Sequence, residues 1–148
     1  MKDFKGKNVV ITGGATGIGF ALAKLFGKQG ARVLIAARRE SRLKDAVDLL
    51  AGEGIDACYH TCDVSKREDV EALADYAWNE FGQVDVIINN SGVGSSVSTP
   101  LIDTPLEEIE RIYSVNFYGV INGCQVFGKR FIEQGTPAAI YNLVYCIN

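Results

Sequence analysis

The feature that most constrains this chain is a set of glycines placed between a strand and a helix. Asn8-Val9-Val10-Ile11-Thr12 reads as a buried strand and runs straight into Gly13-Gly14-Ala15-Thr16-Gly17-Ile18-Gly19. Beyond the turn, Ile18, Ala21, Leu22, Leu25 and Phe26 recur at helical spacing over residues 17–29, and Gly30 stops the helix. A strand-to-helix turn at the carboxyl edge of a sheet aims free backbone N–H groups outward, and the helix dipole adds to their pull on an anion. Glycine lets the backbone turn tightly and approach a phosphate with no Cβ in the way. The plain alternative is an ordinary glycine turn; placement between strand and helix favours a pyrophosphate-binding one.

The rest of the chain repeats the same alternation. Residues 33–37 form a second buried strand, followed by a helix from about Ser41 with Leu43, Ala46, Val47 and Leu50 on one face. Ala57 to Thr61 is a third, less apolar strand. Ser65-Lys66-Arg67-Glu68 has the form of a capping box opening a helix with Val70, Leu73, Ala74, Ala77, Trp78 and Phe81 on its stripe. Val86-Ile87-Ile88 is a fourth strand. Thr104-Pro105-Leu106-Glu107 has the form of a second capping box, whose helix runs to Gln134 with Gly135 past its end, and residues 138–141 begin a fifth strand. Buried strands alternating with helices imply a parallel sheet covered on both faces. The expected fold is a doubly wound α/β (Rossmann) sheet of about five strands in the order 3-2-1-4-5, as a single dinucleotide-binding domain over residues 1–148. A TIM barrel would need eight strand–helix units, more than the pattern supplies.

Composition narrows the function. Hydrophobic residues make up 47% and charged residues 22%, a globular balance. The net charge of −3 argues against a nucleic-acid or membrane-surface partner, either of which needs a basic face. The four cysteines, Cys58, Cys62, Cys124 and Cys146, form no Cys-x-x-Cys pair, and the one histidine, His60, reads as a strand side chain. No structural zinc site is expected, and reduced thiols are the simpler reading. The residues after Met1 lack the apolar core of a signal peptide, and no apolar run is long enough to span a bilayer. The expected location is the cytoplasm.

The glycine spacing, Thr-Gly-x-x-x-Gly-Ile-Gly, resembles the signature of the short-chain dehydrogenase/reductase family. Further pieces follow in that family's order: Asp63-Val64 after strand three, Asn89-Asn90-Ser91-Gly92 after strand four (the family has Asn-Asn-Ala-Gly), and Asn116 in the long helix. The resemblance implies that Gly13, Thr16, Gly17, Ile18, Gly19, Asp63, Val64 and Asn90 bind a nicotinamide cofactor, with Asp63-Val64 against the adenine. It implies that Asn116 is catalytic, holding a water in a proton relay. The implied reaction is hydride transfer between the cofactor and a small carbonyl or alcohol substrate. Each residue keeps a plainer role beside the implied one. Asp63 could end a strand, Asn89 and Asn90 could tie strands together, and Asn116, on a stripe with Ile109, Ile112, Tyr113 and Val120, could be buried and bonded to backbone. For cofactor choice, an acid at the end of strand two normally selects NAD; here that position is Ala37, followed by Arg38 and Arg39. An arginine fork suits the 2′-phosphate of NADP(H), making NAD(H) the lesser expectation, although both arginines could simply be solvated. Glu40 is the one nearby acid that could reverse the preference.

The resemblance also breaks. The family's acid–base tyrosine is followed by lysine in Tyr-x-x-x-Lys, and none of the tyrosines here has that partner. Strand five, Ile140-Tyr141-Asn142, resembles the segment before the family's serine pair, but Val144 and Tyr145 stand at the serine positions. The expectation is a C-terminally truncated family member, through a premature stop or a frameshift. It follows that the chain is either an oxidoreductase by family or a non-catalytic cofactor-binding module, with an interaction fragment as a third reading. A second apolar side on the 105–134 helix, including Val115, Tyr118 and Val126, makes self-association through that helix an expectation.

Overall fold

The computed structural model describes residues 4–144. A central five-stranded parallel sheet is built from β1 (Asn8–Thr12), β2 (Arg32–Ala37), β3 (Ala57–Thr61), β4 (Val86–Asn89) and β5 (Ala139–Asn142), in the order β3-β2-β1-β4-β5. The expected order is therefore the observed one. Helices α1 (Gly17–Lys28), α2 (Glu40–Gly52) and α3 (Arg67–Phe81) connect the first four strands. Between β4 and β5 the chain forms a short 3₁₀ turn (Leu101–Asp103), then α4 (Leu106–Tyr113), a π-helical turn (Ser114–Tyr118) and α5 (Gly119–Gln134). Gly135 follows in the left-handed conformation, φ +70°, and closes the helix through its N–H on the Phe131 carbonyl.

The strands read as unbroken apolar runs because each buries both faces. On one face Val9, Ile11, Val33, Ile35 and Ile88 meet Ala23 of α1 and Leu43, Ala46 and Leu50 of α2. On the other, Val10, Leu34 and Ile87 meet Val70, Leu73 and Ala77 of α3 and Phe127 of α5. Phe127 is wholly buried and packs beside Trp78. Burying a side chain of this size contributes about 1.5–3 kcal/mol. At the amino edge of the sheet, the Gln134 amide donates to the Val84 carbonyl and accepts from the Val84 N–H, fastening the end of α5 beneath β4. Among the described residues β5 is an edge strand, with Tyr141 57% exposed.

Three local expectations are corrected. Neither capping box forms: the residues at the N-caps of α3 and α4 are Lys66 and Pro105, and neither helix has a side-chain cap. The Ser65 hydroxyl instead donates to Asp63, and that of Thr104 to the Pro100 carbonyl, because a closer acceptor lies upstream of each serine or threonine. Secondly, Val115 and Val126 lie in the core rather than on an outer apolar side; Tyr118 alone of the three is exposed. Thirdly, Asn116 is only half-buried. The π-helical turn interrupts the 3.6-residue period at Ser114–Tyr118. Within α4 itself the exposed Tyr113 and the buried Glu108 already depart from the stripe read from the sequence.

Candidate functional site

The carboxyl ends of the strands open on one cleft. From the β1–α1 turn it is lined by Gly13, Ala15 and Thr16, and from the end of β2 and the start of α2 by Ala37, Arg38, Arg39 and Arg42. After β3 come Cys62, Asp63 and Val64; after β4, Ser91, Gly92 and Val93; and from the π turn, Val115. The sheet order creates this cleft, because the chain runs from β1 outward through β2 to β3 and then crosses back to β4 and β5 on the other side of β1.

Close packing explains the turn's shape. A Cβ on Gly19 would lie 2.2 Å from the Gly13 carbonyl oxygen, and one on Gly13, at φ +66°, would lie 2.9 Å from Nδ2 of Asn90. Gly17 differs: it takes φ +54° with open space before it. The first turn of α1 contains no acidic residue and receives no side-chain cap from Thr16, so it presents backbone N–H groups without a competing carboxylate. These features fit a pyrophosphate. Ile18 is 53% exposed and, like Gly17 and Gly19, does not line the cleft.

Asn90 holds the turn from beneath. Its amide Nδ2 donates to the carbonyls of Thr12 and Gly13 at 3.0 and 3.2 Å, while its backbone N–H and that of Ser91 donate to the Thr12 hydroxyl. Asn89 donates through Nδ2 to Oδ1 of Asn142 on β5, at 2.8 Å. The plainer role, tying strands together, is thus present for both residues. Asp63 combines roles: its Oδ1 accepts from the Ser65 N–H and hydroxyl, turning the chain after β3, while the residue also lines the cleft. Beside it burial pushes the Cys62 thiol up to about 12, with Asp69 and Asp63 adding repulsion; burial likewise pushes Cys58 up to about 11. Neither is a thiolate at neutral pH.

At the end of β2 the charge is one-sided. Arg38, Arg39 and Arg42 are exposed, and among the described residues none is paired with an acid. Glu40 is already engaged: Lys44 stands 3.2 Å away and the Tyr59 hydroxyl donates to it at 3.0 Å. Both contacts lower its carboxyl pKa, Lys44 the more. Glu40 does not line the cleft. Arg42 was not foreseen from the sequence: it lies in the first turn of α2, whereas Arg38 and Arg39 precede that helix, and the fold brings all three to the cleft.

Asn116 reaches the cleft through a neighbour. Its Oδ1 accepts from the Val93 N–H at 2.8 Å and its Nδ2 donates to the Val93 carbonyl at 2.9 Å. Asn116 lies in the middle of the π turn, where the regular helical spacing from α4 no longer holds. Cys62, Val93 and Val115 are further cleft residues that the sequence did not single out, since only the fold brings their segments together.

The model of the short chain dehydrogenase family matches residues 7–142. The chain belongs to the short-chain dehydrogenase/reductase family. It is similar to the probable oxidoreductase EphD of Mycobacterium tuberculosis (strain ATCC 25618 / H37Rv), at 38% identity over 91% of this chain and 22% of that protein. A short-chain dehydrogenase/reductase from Burkholderia phymatum, solved with NAD, superposes with a TM-score of 0.90 at 34% identity, over 96% of this chain and 50% of that one. A metagenomic short-chain oxidoreductase solved with NADP superposes with a TM-score of 0.88 at 29% identity, over 99% of this chain and 65% of that one. The chain spans less than two thirds of the length of each. Both nicotinamide dinucleotides thus occur among its structural relatives. No helix among the described residues is long and apolar enough to cross a membrane.

Proposed function

We propose that this chain binds NADP(H) in preference to NAD(H) in the cleft, and that its chemistry is hydride transfer between that cofactor and a small carbonyl or alcohol. The observation that carries the reading is the cluster of Arg38, Arg39 and Arg42, unpaired among the described residues and beside Ala37. An acid at the end of β2 would take the ribose hydroxyls of NAD; three guanidinium groups there favour a 2′-phosphate through charge-assisted bonds. Gly13, Thr16, Gly17, Ile18 and Gly19 are assigned to the pyrophosphate, Asp63 and Val64 to the adenine, and Asn90 to shaping the turn. Asn116 is assigned the proton-relay role. When bound, the cofactor supplies or accepts the hydride. Self-association through the 105–134 helix is proposed as well, and the cytoplasm as the location.

A second reading is that these 148 residues by themselves form a cofactor-binding module without turnover, and it rests on their tyrosines. None is followed by lysine in Tyr-x-x-x-Lys. Titration with NADPH and NADH, followed by an NADPH-oxidation assay on ketones, aldehydes and quinones, tests both readings. NADPH is expected to bind about 10- to 100-fold more tightly than NADH, and Arg38→Ala to remove most of the difference. Equal affinities would overturn the NADP(H) assignment, and saturable turnover abolished in Asn116→Ala would overturn the module reading.

A further inference from the structure

The segment 93–96 is a strap between two cavities. Val93 lines the dinucleotide cleft, while Ser95 lines an apolar groove of about 470 Å³ whose walls include Pro100, Leu101, Ile109 and Ile112. We propose that Glu108 and Arg111 are positioning residues that hold this strap as the wall shared by cleft and groove. The proposal deepens the cofactor reading, on which its nucleotide readout rests.

Glu108 is an acid on a charged helix, yet it is only 9% exposed. Its Oε1 accepts from the Ser96 N–H at 2.5 Å and from the Ser96 hydroxyl at 2.9 Å. Arg111 grips both carboxylate oxygens, Nε on Oε2 and Nη2 on Oε1, each at 2.9 Å. The same Nη2 donates to the Gly94 carbonyl at 2.7 Å. An exposed pair of opposite charges one helical turn apart contributes little by itself. Here each partner also takes a backbone group of the strap: the acid an N–H, the cation a carbonyl. Bonds with one ionised partner are about twice as strong as neutral ones. Asn116, in the π turn that follows α4, takes both backbone groups of Val93. α4 and the π turn together therefore grip Val93, Gly94 and Ser96. The Arg111 guanidinium, then the Ser96 N–H, hold the Glu108 carboxyl well below the usual carboxylate range, so the anion persists at neutral pH.

The test is residue-resolved amide hydrogen exchange on the full chain, comparing wild type, Glu108→Gln, Arg111→Met and, as control, the exposed Glu107→Gln. Glu108→Gln is expected to lower protection of the Ser96 amide about 10- to 100-fold, the equivalent of a bond to a charged acceptor. Arg111→Met is expected to do the same by freeing Gly94. The exposed Glu107→Gln control should leave Ser96 protection unchanged, and NADPH should bind several-fold more weakly to Glu108→Gln and Arg111→Met. Unchanged Ser96 protection in both variants would overturn the proposal. So would an equal loss of Ser96 protection in Glu107→Gln, which would show that the effect is not specific to the residues gripping the strap. Nucleotide affinity unchanged while Ser96 opens would also overturn it, because the strap would then not wall the cleft. If wild type bound neither nucleotide, the cofactor reading would fail, and exchange at Ser96 would still decide the clamp.

Discussion

At the residue scale, two glycines of one turn serve different ends. Gly19 is needed inside the protein, where a Cβ would strike the Gly13 carbonyl and the Asn90 amide. Gly17 is needed on the outside, at a positive φ with open space before it. Gly19→Ala is therefore expected to cost about 1–3 kcal/mol in a denaturant melt, as overpacking does. Gly17→Ala, with only left-handed strain of about 1–2 kcal/mol, should fold and lose roughly tenfold in NADPH affinity, because its methyl would stand where a phosphate approaches. Wild-type affinity in a folded Gly17→Ala protein would move the pyrophosphate elsewhere. The motif made both glycines visible in the sequence. It did not separate their duties, since Gly19 is crowded by the Gly13 carbonyl folded back within the turn and by Asn90, distant along the chain.

At the level of elements, β4 and α5 meet through Asn89 and Gly123. A Cβ on Gly123 would lie 2.0 Å from Oδ1 of Asn89, whose Nδ2 reaches across to Asn142 on β5. Gly123→Ala should push the helix off the sheet or displace that amide, at about 1–3 kcal/mol. The clash disappears when Asn89 is shortened, so Asn89→Ala with Gly123→Ala should be less destabilising than the sum of the singles, by about 1 kcal/mol or more. Additivity within about 0.5 kcal/mol would show that the two do not crowd each other. The strands and α1, α2 and α3 were legible in the sequence to within a residue or so, because alternating burial and turn chemistry are local. The α4–α5 unit was legible in extent, from Pro105 to Gly135, but not in register. A π turn leaves no mark in the hydrophobic period, and the faces of Val115, Asn116 and Val126 were set by what they pack against.

On the scale of the whole molecule, the sheet's two faces are covered but its β5 side is not, among the described residues. Tyr113, Phe117 and Tyr118 form a chain of touching aromatic rings, with Phe117 and Tyr118 5.4 Å apart, and all three are more than half exposed. An exposed aromatic cluster favours self-association. Light scattering is expected to show a concentration-dependent oligomer. Phe117→Glu with Tyr118→Glu should raise its dissociation constant at least about a hundredfold, since each buried aromatic contributes about 1.5–3 kcal/mol, while leaving the melting temperature of the monomer nearly unchanged. A wild-type monomer at every concentration would refute this. By itself the sequence determined the strand–glycine–helix turn, the alternation of buried strands and helices, and through these the sheet and its anion-binding edge, because all of these rest on neighbours in the chain. The upstream bonds of Ser65 and Thr104 were a local choice among nearby acceptors. Only the tertiary structure decided that Arg42 lines the cleft with Arg38 and Arg39, that Asn90 locks the turn, and that Glu108, Arg111 and Asn116 all reach back to residues 93–96. Each of these depends on which segments the fold brings together, and no local periodicity carries that information.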